Sequence, residues 1–178
     1  MLKGIINSEK KTHEVGAALG VSTTGNIIHL TGISIGDSAN EREGNSIFMR
    51  SISARFNTTC NSSATSSFIR MILIEDLQQV ADTGPTMASV LQSDVMSSLN
   101  STTIGRYKVL YNKLYTVNNT DKKSIVWTKY WDIKHHVRYN GSGVADIQKG
   151  GLYLLLLSSE ATNTPTITYN IRLGYYDN

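Results

Sequence analysis

The groups of this 178-residue chain that could do chemistry are four histidines, one cysteine and fourteen carboxylates. A hydrolytic triad needs a nucleophile beside a base, and none of His13, His29, His135 or His136 lies in a nucleophile-elbow pattern. The "SEKK" of residues 8–11 matches S-x-x-K in isolation only. His135 and His136 are adjacent, as are Glu75 and Asp76, so on a strand each pair points to opposite faces and cannot close on one metal. "GSG" at 141–143 lacks the helix and spacing of a phosphate loop and reads as a turn. The single Cys60 excludes an intrachain disulfide and a Cys-rich zinc site; within the polar "NTTCNSS" it reads as a bystander. No catalytic constellation and no cofactor site emerge.

Charge is concentrated instead. Only 17% of residues are charged, against about 25% in ordinary soluble domains. Yet "GDSANEREG" (36–44) holds Asp37, Glu41, Arg42 and Glu43, with Gly36 and Gly44 free to turn at its ends. This is a solvated loop or a fixed bracket. A second concentration is the run Thr128, Tyr130, Asp132, Lys134, His136, Arg138, the polar alternate positions of one long strand. Lys134, His136 and Arg138, with Lys10 and Lys11 nearer the start, are the candidate phosphate contacts; such contacts are non-specific and salt-dependent.

The elements that position these groups read as strands. In "TITYNIRLGYY", Ile167, Tyr169, Ile171, Leu173 and Tyr175 share one face, opposite Thr166, Thr168, Asn170, Arg172 and Tyr176. That period of two marks an antiparallel strand with one face on a core. "IFMRSISARFN" puts Phe48, Ile52, Ala54 and Phe56 together, interrupted by Arg50. "SFIRMILIED" is apolar on both faces and "GLYLLLLSS" throughout, so both are covered strands. "RYKVLYNKLYTV" groups Tyr107, Val109, Tyr111 and Tyr115. "SIVWTKYWDIKHHVRY" groups Ile125, Trp127, Trp131, Ile133, Val137 and Tyr139. "NIIHLTGIS" adds one more near the start. Residues 82–100 hold one short helix, with Thr86 as its N-cap, in an insertion long enough for a crossover between sheets. Strands at this spacing without a βαβ rhythm indicate a sandwich or barrel. Residues 1–24 read as a polar arm and 25–178 as one domain.

Composition agrees. Forty per cent hydrophobic residues argue against disorder. The longest apolar run, "LYLLLL", is far short of a membrane span. A net charge of +3 permits a nucleic-acid partner without demanding one.

The ordered set "GD…R-x-G-N-x-I" (Gly36, Asp37, Arg42, Gly44, Asn45, Ile47), "RMILIEDLQ", "VLQSD", "RYKVLYNKLYTV", "VRYNGSG" and "GGLYLLLLSS" resembles capsid proteins of small circular single-stranded DNA viruses. These are similar to the shell protein of satellite tobacco necrosis virus. The resemblance implies an all-β fold, a single eight-stranded jelly roll with a short helix in one long loop. It also implies self-assembly, in about sixty copies (T=1), into an icosahedral virion shell around a single-stranded genome, with no enzymatic activity. It makes Gly36, Asp37, Arg42 and Gly44 a structural motif, which implies that Asp37 and Arg42 are fixed and pair across the loop, while Glu41 and Glu43 match nothing in it and are expected to be solvated. Such capsids begin with an Arg-rich arm. Here the start carries only Lys3, Lys10 and Lys11, so most neutralisation of nucleic acid is expected from a basic arm absent from this sequence. A metal ion between subunits would draw on Asp37, Glu75, Asp76 or Asp132, whose spacing specifies no site. The rival is a jelly-roll carbohydrate- or receptor-binding module. It would cluster aromatics in end loops, whereas Trp127 and Trp131 fall on the apolar face of a strand.

Overall fold

A computed structural model describes residues 9–79, 83–103 and 105–177. The strands in chain order are β1 (Glu9–Gly20), β2 (Asn26–His29), β3 (Ser46–Thr59), β4 (Ser66–Asp76), β5 (Tyr107–Asn118), β6 (Ser124–Tyr139), β7 (Ile147–Lys149), β8 (Gly151–Ser158) and β9 (Thr166–Asp177). One short helix, α1 (Met87–Val90), lies between β4 and β5. The strands form a five-stranded sheet, β1-β9-β3-β6-β7, and a four-stranded sheet, β2-β8-β4-β5, with every pairing antiparallel. Setting aside the three-residue β7, this is four strands per sheet with connections that cross between sheets, the jelly roll.

Strict alternation in β9 buries Ile167, Tyr169, Ile171, Leu173 and Tyr175 between the sheets. They meet Leu152, Leu154 and Leu156 of β8 and Met71 and Leu73 of β4 in the main core. The other face of β4 and β8 is covered too. Ile72, Ile74, Tyr153, Leu155 and Leu157 pack beneath α1 and its flanking segment through Val90, Leu91 and Val95. Thr86 caps the helix, its side chain accepting the Ser89 N–H while the Ser89 hydroxyl accepts the Thr86 N–H.

Three expectations are corrected. Residues 9–20 are no arm: β1 pairs with β9 along its whole length and is the first strand of the jelly roll. Its inward positions are Lys11, His13, Val15, Ala17 and Leu19, too polar to show an apolar face. In β3 a bulge between Met49 and Ser51, present against both neighbours, changes the phase of the strand. Ile47 and Met49 point inward before it and Ile52, Ala54 and Phe56 after it, so Phe48 lies on the outer face. A bulge between β4 and β5 separates Tyr107 and Val109, which join the layer under α1, from Tyr111 and Tyr115, which face the main core. Cys60 is also buried, its thiol donating to the Ala64 carbonyl.

A candidate nucleic-acid interface and the bracket beside it

The loop of residues 36–44 is a fixed bracket, but Asp37 is not its partner. Arg42 is fully buried. Its Nε donates to the Ile33 carbonyl (3.0 Å), its Nη1 to the Gly44 carbonyl (2.7 Å) and Asn45 Oδ1 (3.3 Å), and its Nη2 to the Gly141 carbonyl (2.6 Å). The guanidinium lies 3.8 Å from the centroid of the Tyr139 ring, a cation–π contact. Dipoles rather than a carboxylate therefore compensate the charge. Asp37 is exposed and forms no ion pair among the described residues. Glu41 accepts the Ser38 N–H (3.0 Å) and packs over Gly36, where a Cβ would collide with its carboxylate. That hydrogen bond holds the Glu41 carboxyl below its ordinary range.

Glu43 has a specific task. Lys11, 3% exposed, places Nζ 3.0 Å from Glu43, 3.4 Å from Asp177 and 3.5 Å from Glu9. Asp177 in turn accepts the Glu43 N–H at 2.7 Å. Burial alone would lower the Lys11 pKa, but the hydrogen bonds to Glu43 and Asp177 outweigh it and raise it. Lys11 is thus committed inside the fold and is corrected as a phosphate contact. The loop also lies along the free edge of β1, where Ala39 accepts the Thr12 N–H.

The other nominated cations share one surface, the outer face of the five-stranded sheet. Register places Lys10 opposite Tyr176, Tyr176 opposite Phe48, and Phe48 opposite His136, a row across four strands. Phe48 meets the His136 ring edge-on at 5.0 Å. Lys134 and Arg138 flank His136 on β6, all three exposed. Lys134 has φ 55° and pairs with Asp132 at 2.5 Å, which pulls the Asp132 carboxyl down. Sequence reasoning missed Arg50, Arg55 and Arg172 on this face. Arg50 pairs with Asp132 and Arg172 with Glu14. Lys10, Arg55 and Arg138 have no ion-pair partner among the described residues. Cations therefore outnumber Glu14 and Asp132, the two acids of this face among the described residues, with half-buried aromatics between them.

The remaining carboxylates considered as metal ligands are dispersed. Asp76 accepts a two-pronged pair from Arg106 (2.9 and 2.6 Å), while Glu75 lies 3.4 Å from Lys108 and 3.5 Å from His135. Among the described residues no group of three His, Cys, Asp or Glu side chains is placed to hold a metal ion, and no helix is long and apolar enough to cross a membrane.

A family model described as satellite tobacco necrosis virus coat protein matches residues 2–177. No curated protein sequence matches the chain. Among solved structures it is similar to cowpea mosaic virus top component, naturally occurring empty particles (8% identity, 97% of this chain and 88% of that one, TM-score 0.45). It is also similar to a structure of Desmodium yellow mottle tymovirus (8% identity, 94% and 86%, TM-score 0.44) and to the 60-mer BFDV capsid protein (10% identity, 95% and 90%, TM-score 0.33).

Proposed function

Because the chain belongs to the satellite tobacco necrosis virus coat protein family, it is a structural protein of the virion that assembles with its own copies into the viral shell, and we propose that the outer face of its five-stranded sheet lines the interior of that shell against a single-stranded genome. The observation that carries this reading is the row Lys10–Tyr176–Phe48–His136, bordered by Arg138 and Arg55. Cations spaced along strands meet successive phosphates without reading sequence. Aromatic faces between them offer stacking surfaces to unpaired bases, a pairing suited to single strands. Duplexes present no such free bases. The copy number proposed is sixty.

The contacts are electrostatic, so occupancy falls as salt rises. The test is the 260/280 nm absorbance ratio of purified particles of the parent and of a Lys10→Ala/Arg55→Ala/Arg138→Ala variant. Particles of unchanged size with a lower nucleic-acid content support the reading. Unchanged content refutes it.

A further inference from the structure

The two flanks of the sandwich carry opposite charge, and the β5–β6 flank is an open basic cleft. β5 is the last strand of its sheet, and β6 is paired on its outer side only with the short β7, at Arg138 and Tyr139. The cleft between them has a volume of about 600 Å³. Its lysines are in unusual places. Lys113 stands opposite Met71 and Lys129 opposite Ala54, positions whose neighbours face the core. Lys122 lines the cleft as well. Lys113 Nζ lies 5.2 Å from the Tyr115 ring centroid and Lys129 Nζ 5.6 Å from that of Tyr111. None of the three has an ion-pair partner among the described residues. The buried Nε1 of Trp127, which lines the cleft, has no acceptor among the described residues either. The cleft has donors in excess of acceptors, while exposed Leu114 and Val126 stand on the two strands that frame it.

The opposite flank is its complement. There the 36–44 loop lies on the edge of β1, Glu9 and Glu43 converge on Lys11, and the same loop carries Asp37 and Glu41. Lys11 is buried and already shared among Glu9, Glu43 and Asp177.

We propose that the acidic β1 flank of one subunit docks into the β5–β6 cleft of the next, with carboxylates of the loop reaching the three lysines. The occupant is a second copy of this chain because both complementary surfaces are on the chain, and because the exposed Leu114 in the cleft wall suits a protein contact better than a hydrated polyanion. The contact is heterologous, joining two different patches, and such contacts close into rings when the rotation allows. Charge pairing sets the orientation and Leu114, in the cleft wall, supplies apolar area. This rests on the shell reading above.

The test uses single charge reversals, Lys129→Glu and Asp37→Lys, and the double reversal in one chain, with parent particles as the control for assembly itself. Light scattering and negative-stain microscopy report assembly; circular dichroism and thermal melting report folding. Each single variant is expected to fold and to lose at least tenfold in particle yield, and the double variant to recover most of it. Normal assembly of either single variant overturns the proposal, as does a folded double variant that stays unassembled. Intact Lys129→Glu particles with reduced nucleic acid also overturn it, assigning the cleft to the genome. Parent protein that forms no particles defeats the shell reading instead.

Discussion

Acid should weaken the subunit through His29. Its ring is stacked on Tyr153 with centroids 4.7 Å apart, and Nε2 lies 3.3 Å from Thr31 Oγ1. Burial, with a smaller contribution from nearby His13, lowers its pKa from 6.5 to about 4. The unfolded chain therefore takes up this proton near pH 6.5, and the folded chain only near pH 4. Between those values the unfolded state binds more protons, so stability falls as pH falls. A lowering of this size, at about 1.4 kcal/mol per pH unit, corresponds to about 3 kcal/mol, with the loss complete below pH 4. His13, also lowered by burial, adds in the same direction. The measurement is chemical denaturation of parent and His29→Gln subunits at several pH values from 7.5 to 4. Carboxylates titrate in both proteins, so their difference isolates His29, and the parent should show the steeper loss by about 3 kcal/mol. Parallel curves within about 0.5 kcal/mol would refute this account of His29, as would a midpoint near 6.5 when its ring is followed by NMR.

Two further outcomes follow from burial. Lys11→Met leaves the buried Asp177 carboxylate without its cation and should cost about 3–5 kcal/mol, read as a lower denaturation midpoint; a loss under 1 kcal/mol would show that water reaches Asp177. Leu173→Ala, at a fully buried position, should cost ~2–5 kcal/mol by the same assay, and a change under about 0.5 kcal/mol would place Leu173 outside the core.

Legibility followed periodicity. β9 was readable because one face is polar and the other apolar without interruption. β4 and β8 were readable as covered strands because both faces are apolar, one on the main core and one under α1. β1 was not, since its inward positions begin with a lysine and a histidine, and no local pattern encodes a lysine neutralised from a distant loop and the far end of the chain. Bulges hid the outer position of Phe48 and split Tyr107 from Tyr111, because one extra residue reverses the faces of everything beyond it. Of the nominated site residues, Lys10, Lys134, His136 and Arg138 share a face, while Lys11 and Asp37 fall away from their expected roles. Tyr176, already on the polar face of its strand, was the signal that aromatics belong to that surface. The basic cleft was hidden for a related reason: Lys113 and Lys129 interrupt apolar alternation at positions where only the open β5–β6 flank tolerates charge.

The Arg42 anchor has a consequence for sequence drift. Three of its four hydrogen-bond acceptors are main-chain carbonyls, and the fourth is Asn45. Substitutions at residues 33, 44 or 141 leave a carbonyl in place as long as the backbone keeps its path. The anchor can therefore outlast turnover of nearly every letter around it, and is lost in one step when residue 42 itself changes. Lys11 is the opposite case: its partners are all side chains, so Glu9, Glu43 and Asp177 must be kept or exchanged together. One loop thus joins a position held mainly by main-chain carbonyls to a group of positions bound to co-vary.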